Sequence, residues 1–114
     1  KKTFRNKVIT LNLALNYGSK EEIINACKTL CKTNKKEINV KNFEQRLYTK
    51  DMPDPEILIR TGGTKRLSNF LLWQLAYTEI FFVDKLWPDF NEKDFNKILN
   101  KFYNIERKFG KIND

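Results

Sequence analysis

One short segment of the sequence holds residue types that bind phosphate groups: Arg60, Gly62, Gly63, Arg66 and Ser68. Guanidinium groups bind phosphate oxygens in bidentate fashion, and glycines let a backbone approach its ligand closely. If a helix begins at Ser68, its free N–H groups add about half a positive charge. The pattern indicates an anion cradle suited to a phosphate or a diphosphate. The residues alone are equally compatible with an ordinary loop between a strand and a helix that carries surface arginines.

A single carboxylate follows this segment at the head of an apolar stretch. Glu79 lies ten residues after Asn69 and is followed by Ile80 and Phe81. A magnesium ion that bridges diphosphate oxygens takes only one or two protein carboxylates. Glu79 is therefore either a magnesium ligand or the partner of a neighbouring lysine, and the spacing does not decide between the two.

The sequence contains no histidine and only two cysteines, Cys27 and Cys31. The absence of histidine excludes Ser-His-Asp and Cys-His nucleophile pairs and zinc sites built on His ligands. The cysteines are four residues apart on a predicted helix, a geometry that disfavours a disulfide, and we expect both to be reduced residues of the core. Such cysteine usage is typical of a reducing, intracellular compartment.

The elements that position these residues follow from hydrophobic periodicity and turn signals. Ser19 is a candidate N-cap for the first helix, with Glu21 and Glu22 in its first turn. The predicted order is a strand at 8–15, a helix of about 13 residues from Ser19, a short helix at 40–48, a strand at 56–60, a helix at 67–77, a strand at 80–83 and a helix at 91–109.

This order predicts an α/β fold: part of a mainly parallel sheet flanked by helices. A chain of 114 residues is one domain. Three strands form a thin sheet, and parallel sheets are covered on both faces. We therefore expect either that the sheet continues in another segment or that a partner completes it.

The charge balance is strongly basic, with 22 Lys and Arg against 14 Asp and Glu, a net charge of +8. A nucleic-acid-binding module is compatible with this charge, but the lysines are scattered and the aromatic residues fall at apolar positions that favour a core. A basic surface also favours anionic membranes. Because no apolar run approaches about 20 residues and no signal peptide is present, we expect an intracellular protein, cytoplasmic or peripherally associated with a membrane.

Residues 55–82, PEILIRTGGTKRLSNFLLWQLAYTEIFF, followed by LWPDF at 86–90, closely resemble the C-terminal signature of the cis-prenyltransferases, the undecaprenyl and dehydrodolichyl diphosphate synthases. The segment LNLALNYG at 11–18 is similar to the family's Asn-Tyr-Gly segment. The resemblance covers nearly the whole chain, and it favours the anion cradle over the ordinary loop.

The resemblance implies an enzyme that condenses isopentenyl diphosphate with an allylic diphosphate, such as farnesyl diphosphate, to a Z-polyprenyl diphosphate with Mg²⁺. It implies that Arg60, Arg66 and Ser68 hold the diphosphate of isopentenyl diphosphate. Asn69 is placed with them as a residue that shapes the loop, and Glu79 joins the magnesium site. No residue of this chain is assigned as catalytic.

The family also depends on an N-terminal Asp-Gly-Asn-Gly-Arg segment and on helices that form a tunnel for the product. This sequence contains no Asp-Gly pair. We therefore expect residues 1–114 to be the C-terminal portion of a single catalytic domain and to be inactive alone.

Three positions depart from the family's pattern. Thr64 stands where the family often has Glu, which predicts weaker hydrogen bonding around the loop. Gly18-Ser19-Lys20 replaces a common Gly-Gly-Arg. The segment containing Lys108 and Gly110 stands where many members carry an Arg-x-Gly element that reaches across a dimer, and Lys keeps the charge without the bidentate fork.

The resemblance also implies a homodimer, with a hetero-oligomer as the alternative. A further alternative is a non-catalytic partner subunit of a hetero-oligomeric cis-prenyltransferase. Such subunits usually lose the arginine loop, whereas this chain keeps Arg60, Arg66 and Ser68.

Overall fold

A computed structural model describes residue 3 and residues 5–32 and 38–106. Lys108 and Gly110, which the sequence assigns to a contact across a dimer, lie outside the described residues. The elements in chain order are helix α1 (Ser19–Leu30), helix α2 (Val40–Glu44), strand β1 (Ile57–Arg60), strand β2 (Glu79–Phe82) and helix α3 (Glu92–Tyr103), with one turn of 3₁₀ helix at Trp87–Asp89.

The two strands β1 and β2 pair in parallel, with Ile57 opposite Glu79 and Arg60 opposite Phe82. The ladder is extended at its carboxyl end, where the Val83 N–H donates to the Arg60 carbonyl at 2.8 Å. Parallel neighbours require a crossover connection, and residues 61–78 supply it. The structure confirms the predicted α/β fold with a parallel sheet and flanking helices, and it places both strands within one residue of their predicted bounds.

A small apolar core joins α1 to α2 and the crossover. Its buried members are Ala26, Leu30, Phe43 and Leu47, and Trp73 packs against them. The rings of Phe43 and Trp73 have their centroids 4.4 Å apart. Phe43 and Leu47 are both buried, as the sequence predicts, although α2 ends at Glu44 rather than at residue 48.

The predicted strand at 8–15 is wrong for the structure as described. These residues pair with no strand among the described parts of the chain, and their large apolar side chains are exposed, from 73% for Leu13 to 94% for Val8. A strand is stabilised by ladder hydrogen bonds and by cross-strand side-chain pairs. The alternating pattern is present, but the described residues offer no neighbouring strand to pair with it.

The predicted helix at 67–77 is also wrong, because this segment forms a series of turns. Ser68, Asn69 and Leu71 have positive φ angles of 50°, 61° and 45°. Residues in the left-handed region cannot belong to a right-handed helix. Within these turns Leu75 is buried, and the partly buried Trp73 packs against the core of α1 and α2.

Three further details differ from the sequence prediction: the burial of the cysteines, the N-cap of α1 and the range of the last helix. Cys27 and Cys31 are free, but both are exposed rather than core residues, because the buried stripe of α1 runs through Ser19, Glu22, Ala26 and Leu30. The N-cap of α1 is Gly18, and Ser19 is its first helical residue. The last helix, predicted at 91–109, runs from Glu92 to Tyr103 and begins at a capping box formed by Asn91 and Asp94.

Within the part of the chain that the structure describes, no helix has the length and apolar character needed to cross a membrane.

Candidate functional site

Arg60 and Arg66 line the same cavity, which has a volume of about 480 Å³. Arg60 is the last residue of β1, so its side chain stands at the carboxyl edge of the sheet, where open α/β sheets bind ligands. Apolar side chains and a threonine complete the lining: Leu58, Ile59, Thr61, Leu67 and Phe70. The cavity therefore combines two permanent positive charges with an apolar wall.

The Arg60 guanidinium is oriented by a neutral group. Its Nε and Nη2 donate to the Thr64 hydroxyl at 3.2 and 3.0 Å. An arginine has five N–H donors, so three remain for another acceptor. Thr64 therefore retains hydrogen bonding in the loop at the position where the sequence predicts a weakening.

Neither guanidinium has its charge neutralised by the described parts of the chain, since no carboxylate there lies within ion-pair distance of Arg60 or Arg66. Arg66 is exposed and Arg60 is half-buried. Two unpaired guanidinium groups at one cavity create a positive potential that favours an anion with several oxygens.

Gly62 and Gly63 position the loop rather than face the cavity with free N–H groups. The Gly62 N–H donates to the Lys85 carbonyl at 2.8 Å, and the Gly63 N–H donates to the Val83 carbonyl at 3.1 Å. Both glycines have positive φ angles, +88° and +70°. The glycine pair thus makes the tight turn that ties the loop to the end of β2, and the expected backbone contact with an anion is not available from these two N–H groups.

Ser68 is exposed and has a φ of 50°, and no helix begins there. The helix N-terminus that the sequence predicts as part of the cradle is therefore absent from this position. Ser68 does not line the cavity of Arg60 and Arg66, although it follows Arg66 by two residues. The structure thus brings the two arginines together and leaves Ser68 beside them.

The Asn69 side chain is used entirely by α1. Its Oδ1 accepts a hydrogen bond from the Lys20 backbone N–H at 2.8 Å, and its Nδ2 donates to Glu21 Oε2 at 3.0 Å. Asn69 is thus bonded to the first turn of α1 and does not line the cavity of Arg60 and Arg66.

Glu79 does not converge with the two arginines. The register places it opposite Ile57, at the amino end of β2, whereas Arg60 is three residues later along the pair of strands, roughly 10 Å away along the strand direction. Because successive side chains point to opposite faces of a sheet, an odd offset of three places Glu79 and Arg60 on opposite faces.

Glu79 does not line the cavity of Arg60 and Arg66. A magnesium ion that bridges diphosphate oxygens takes only one or two protein carboxylates. Among residues 3, 5–32 and 38–106, no group of three or more His, Cys, Asp or Glu residues could hold a metal ion.

A buried polar network around Glu22 was not anticipated from the sequence. Glu22 is fully buried, and its carboxylate accepts hydrogen bonds from the Tyr17 hydroxyl, the Tyr48 backbone N–H at 2.7 Å and Gln74 Nε2 at 3.2 Å. Gln74 Nε2 also donates to the Thr49 hydroxyl at 2.9 Å. The network connects α1 to the segment after α2 and to the crossover.

The network also affects the chemistry of Tyr17. Burial and the hydrogen bond to the Glu22 carboxylate raise the pKa of the Tyr17 hydroxyl to about 12. Tyr17 thus remains a neutral donor throughout the physiological range. Its ring also packs edge to face against Phe70, with centroids 5.7 Å apart, so it contacts a residue that lines the arginine cavity.

One signal in the sequence points to this network. Ser19 and Glu22 occupy the same helical stripe as Ala26 and Leu30, at spacings of three and four residues. A carboxylate on an otherwise apolar stripe indicates a buried group with hydrogen-bond partners, because a buried charge without them is costly.

The chain matches the profile of the family described as "Putative undecaprenyl diphosphate synthase" over residues 1–110. An isoprenyl transferase of Fusobacterium nucleatum is 47% identical over 110 residues, which cover 96% of this chain and 47% of that protein. The ditrans,polycis-undecaprenyl-diphosphate synthase ((2E,6E)-farnesyl-diphosphate specific) of Pasteurella multocida is 47% identical over 116 residues, which cover 96% of this chain and 48% of that protein. The chain spans about half the length of the curated relatives it matches.

Two solved structures have similar folds. A probable undecaprenyl diphosphate synthase from Campylobacter jejuni superposes with a TM-score of 0.77 at 44% identity, covering 88% of this chain and 47% of that one. Lavandulyl diphosphate synthase from Lavandula x intermedia, solved in complex with dimethylallyl diphosphate, superposes with a TM-score of 0.79 at 39% identity, covering 83% of this chain and 44% of that one.

Proposed function

The chain belongs to the undecaprenyl diphosphate synthase family of prenyltransferases, and on that basis we propose that it takes part in cis-prenyl transfer. The reaction condenses isopentenyl diphosphate with an allylic diphosphate, such as farnesyl diphosphate, to a Z-polyprenyl diphosphate of undecaprenyl or dehydrodolichyl type. Residues 1–114 supply the site for isopentenyl diphosphate, as the C-terminal portion of a single catalytic domain.

The observation that carries this proposal is the cavity shared by Arg60 and Arg66. Isopentenyl diphosphate has a diphosphate at one end and a small hydrocarbon at the other. The two unpaired guanidinium groups suit the diphosphate, and the apolar wall that includes Leu58, Leu67 and Phe70 suits the hydrocarbon. The names of the relatives support the allylic co-substrate, since one is specific for farnesyl diphosphate and another was solved with dimethylallyl diphosphate.

The two arginines act by binding and orientation. Arg60 keeps its guanidinium plane fixed on Thr64 and offers its remaining donors to the diphosphate, while the exposed Arg66 closes on the same group from the loop. Because the arginines hold the diphosphate, the hydrocarbon end of the substrate lies along the apolar wall in a fixed direction. Ser68 adds a hydroxyl donor once the substrate is bound, and the Asn69 amide keeps the turn in shape.

Dependence on Mg²⁺ is part of the proposal for the complete protein, where the ion would neutralise diphosphate charge. Glu79 would be one carboxylate ligand of this ion in the complete protein, and we assign no step to it. The proposal further includes a homodimer, an intracellular location in the cytoplasm or at a membrane surface, and no prenyl transfer by residues 1–114 alone.

A prenyl-transfer assay on the complete polypeptide that contains these residues tests the proposal. It uses labelled isopentenyl diphosphate, farnesyl diphosphate and Mg²⁺, with the variants Arg60→Ala and Arg66→Ala and the matched control Lys65→Ala. Lys65 is an exposed cation of the same loop that does not line the cavity. Loss of a bidentate charge-assisted contact of about 3 kcal/mol lowers kcat/KM by roughly 100-fold.

Three results of this assay contradict parts of the proposal. Unchanged kcat/KM in both arginine variants contradicts the assignment of the cavity. Unchanged activity accompanied by lower stability in Arg60→Ala favours a non-catalytic partner subunit. Product formed by the purified 114-residue chain contradicts the expectation that it is inactive alone.

A further inference from the structure

The N-terminus of α1 lacks the side-chain cap that its sequence position calls for. Its N-cap residue is Gly18, which has no side chain that could accept a hydrogen bond from the first turn. The first N–H groups of a helix have no partner within the helix itself. In this chain two of them are satisfied from a distant segment: the Ser19 N–H donates to the Asn69 carbonyl at 2.8 Å, and the Lys20 N–H donates to Asn69 Oδ1 at 2.8 Å.

Gly18 leaves the space that this contact needs. A Cβ built on Gly18 would overlap the Glu21 carboxylate and would lie 2.9 Å from Asn69 Nδ2. The φ of Gly18 is −142°, which any residue adopts, so a side chain here would not strain the backbone and would instead displace the Glu21 carboxylate and the Asn69 amide. The Glu21 backbone N–H and the Asn69 amide together hold the pKa of the Glu21 carboxyl below its ordinary value.

The contact is reciprocal, because α1 also holds the turn that contains Asn69. The fully buried Ser19 hydroxyl accepts a hydrogen bond from the Leu72 N–H at 2.9 Å. The turn between these two anchor points has positive φ at Asn69 and Leu71, and Ser68 immediately before it is also in the left-handed region. Left-handed backbone at residues other than glycine is strained and persists only where the surroundings fix it.

We propose that Asn69 takes the place of the missing side-chain cap of α1 from across the fold, and that Asn69 and Ser19 are positioning residues that hold Ser68 and Arg66 in the conformation that binds the diphosphate. The inference deepens the proposed function and rests on it. Asn69 acts through its neighbours, since neither it nor Ser19 lines the cavity of Arg60 and Arg66. The strained turn is held in shape by the helix, and the helix is capped by the turn.

The test compares Asn69→Ala with Asn91→Ala in the complete polypeptide. Asn91 is the N-cap of α3 and accepts from the Lys93 and Asp94 N–H groups, so both substitutions remove an asparagine that caps a helix. Thermal unfolding measures how much stability each variant loses, so that their effects on KM can be compared at a known loss of stability. We expect Asn69→Ala to raise the KM for isopentenyl diphosphate about tenfold or more, because small misplacements of a positioning group have large effects, and Asn91→Ala to leave this KM within about twofold of wild type.

A swap of donor and acceptor supplies the rescue. Asn69→Asp keeps an acceptor for the Lys20 N–H but places a second carboxylate beside Glu21, so the single variant should be impaired. The double variant Asn69→Asp with Glu21→Gln restores the side-chain hydrogen bond with its direction reversed. We expect it to return KM to within about threefold of wild type.

The same variants are titrated with inorganic diphosphate by calorimetry, with the same ranking expected for the dissociation constants. Equal KM values for Asn69→Ala and Asn91→Ala, or no rescue by the double variant, overturn the positioning role. A wild-type protein without prenyl transfer contradicts the proposed function instead, and the diphosphate titration then decides the positioning role: equal affinities of wild type and Asn69→Ala overturn it.

Discussion

The buried carboxylate of Glu22 offers the sharpest test of how α1 packs against the segment after α2 and the crossover. It receives three hydrogen bonds from three different segments, and its side chain is fully buried. Two substitutions separate its roles. Glu22→Ala removes the acceptor, whereas Glu22→Gln keeps the shape and one acceptor oxygen but removes the charge.

The structure gives different magnitudes for the two variants. Glu22→Ala removes the acceptor of the partly buried Tyr17 hydroxyl and Tyr48 N–H, at about 1–3 kcal/mol each before water enters, whereas Gln74 Nε2 keeps the Thr49 hydroxyl as its acceptor. We expect a net loss of about 2–4 kcal/mol in the free energy of unfolding. Glu22→Gln has a compensating change, because the buried Gln74 Oε1 has no hydrogen-bond partner among the described residues. If the Gln74 amide turns over, its oxygen accepts from the new amide and from the Thr49 hydroxyl. The expected loss is about 1 kcal/mol.

Urea unfolding of the complete polypeptide measures both values, with KM for isopentenyl diphosphate as a second readout. Equal losses for the two variants would show that the charge, and not the set of acceptors, stabilises this region. A loss below about 1 kcal/mol for Glu22→Ala would refute the reasoning, because it would mean that the Tyr17 hydroxyl and the Tyr48 N–H find other partners without cost.

Three further predictions concern pH and backbone conformation. The raised pKa of Tyr17 means that the stabilisation by its neutral hydroxyl is complete below pH 10 and is lost as the pH rises through about 12. The difference in unfolding free energy between wild type and Tyr17→Phe should shrink over that range. A constant difference would contradict this prediction. Gly62→Ala introduces a Cβ that meets no atom within 4 Å, so its effect comes from the φ of +88° alone. The free energy of unfolding should fall by about 1–2 kcal/mol. An unchanged free energy of unfolding would count against the left-handed turn. The hydrogen bonds from Lys85 and from the Asn91 N–H lower the pKa of Asp94 from 3.8, so the contribution of its carboxylate to stability is present above that pH and is lost as the pH falls below it. The difference in unfolding free energy between wild type and Asp94→Asn should disappear in acid. A difference that persists there would contradict the role of these hydrogen bonds.

The parallel strands and the arginine loop were predictable because their signals are local. A short apolar run ending in Arg60 and a second run after Glu79 each carry enough β-forming residues to identify a strand, and Gly62 with Gly63 identifies the turn between them. The order of elements then places both arginines at one edge of the sheet without further information. Parallel pairing follows from the long connection between the strands.

The remaining features depend on contacts distant in the sequence. Residues 67–77 are rich in apolar residues that suit a helix, but the Ser19 hydroxyl accepts a hydrogen bond from the Leu72 N–H and the Asn69 carbonyl accepts one from the Ser19 N–H, so the segment forms turns instead of a helix. Periodicity does not encode such hydrogen bonds. For the same reason the alternation at 8–15 predicts a strand although pairing depends on a neighbour elsewhere.

The capping of α1 by Asn69 also has a consequence for the order of folding. Asn69 lies 49 positions after Lys20, so the contact closes a long loop, and long-range contacts of this kind form late. During folding, α1 should nucleate with its first turn frayed and become complete only when the crossover docks. Substitutions at Asn69 should therefore accelerate unfolding while leaving the folding rate nearly unchanged, as expected for a contact that forms after the transition state.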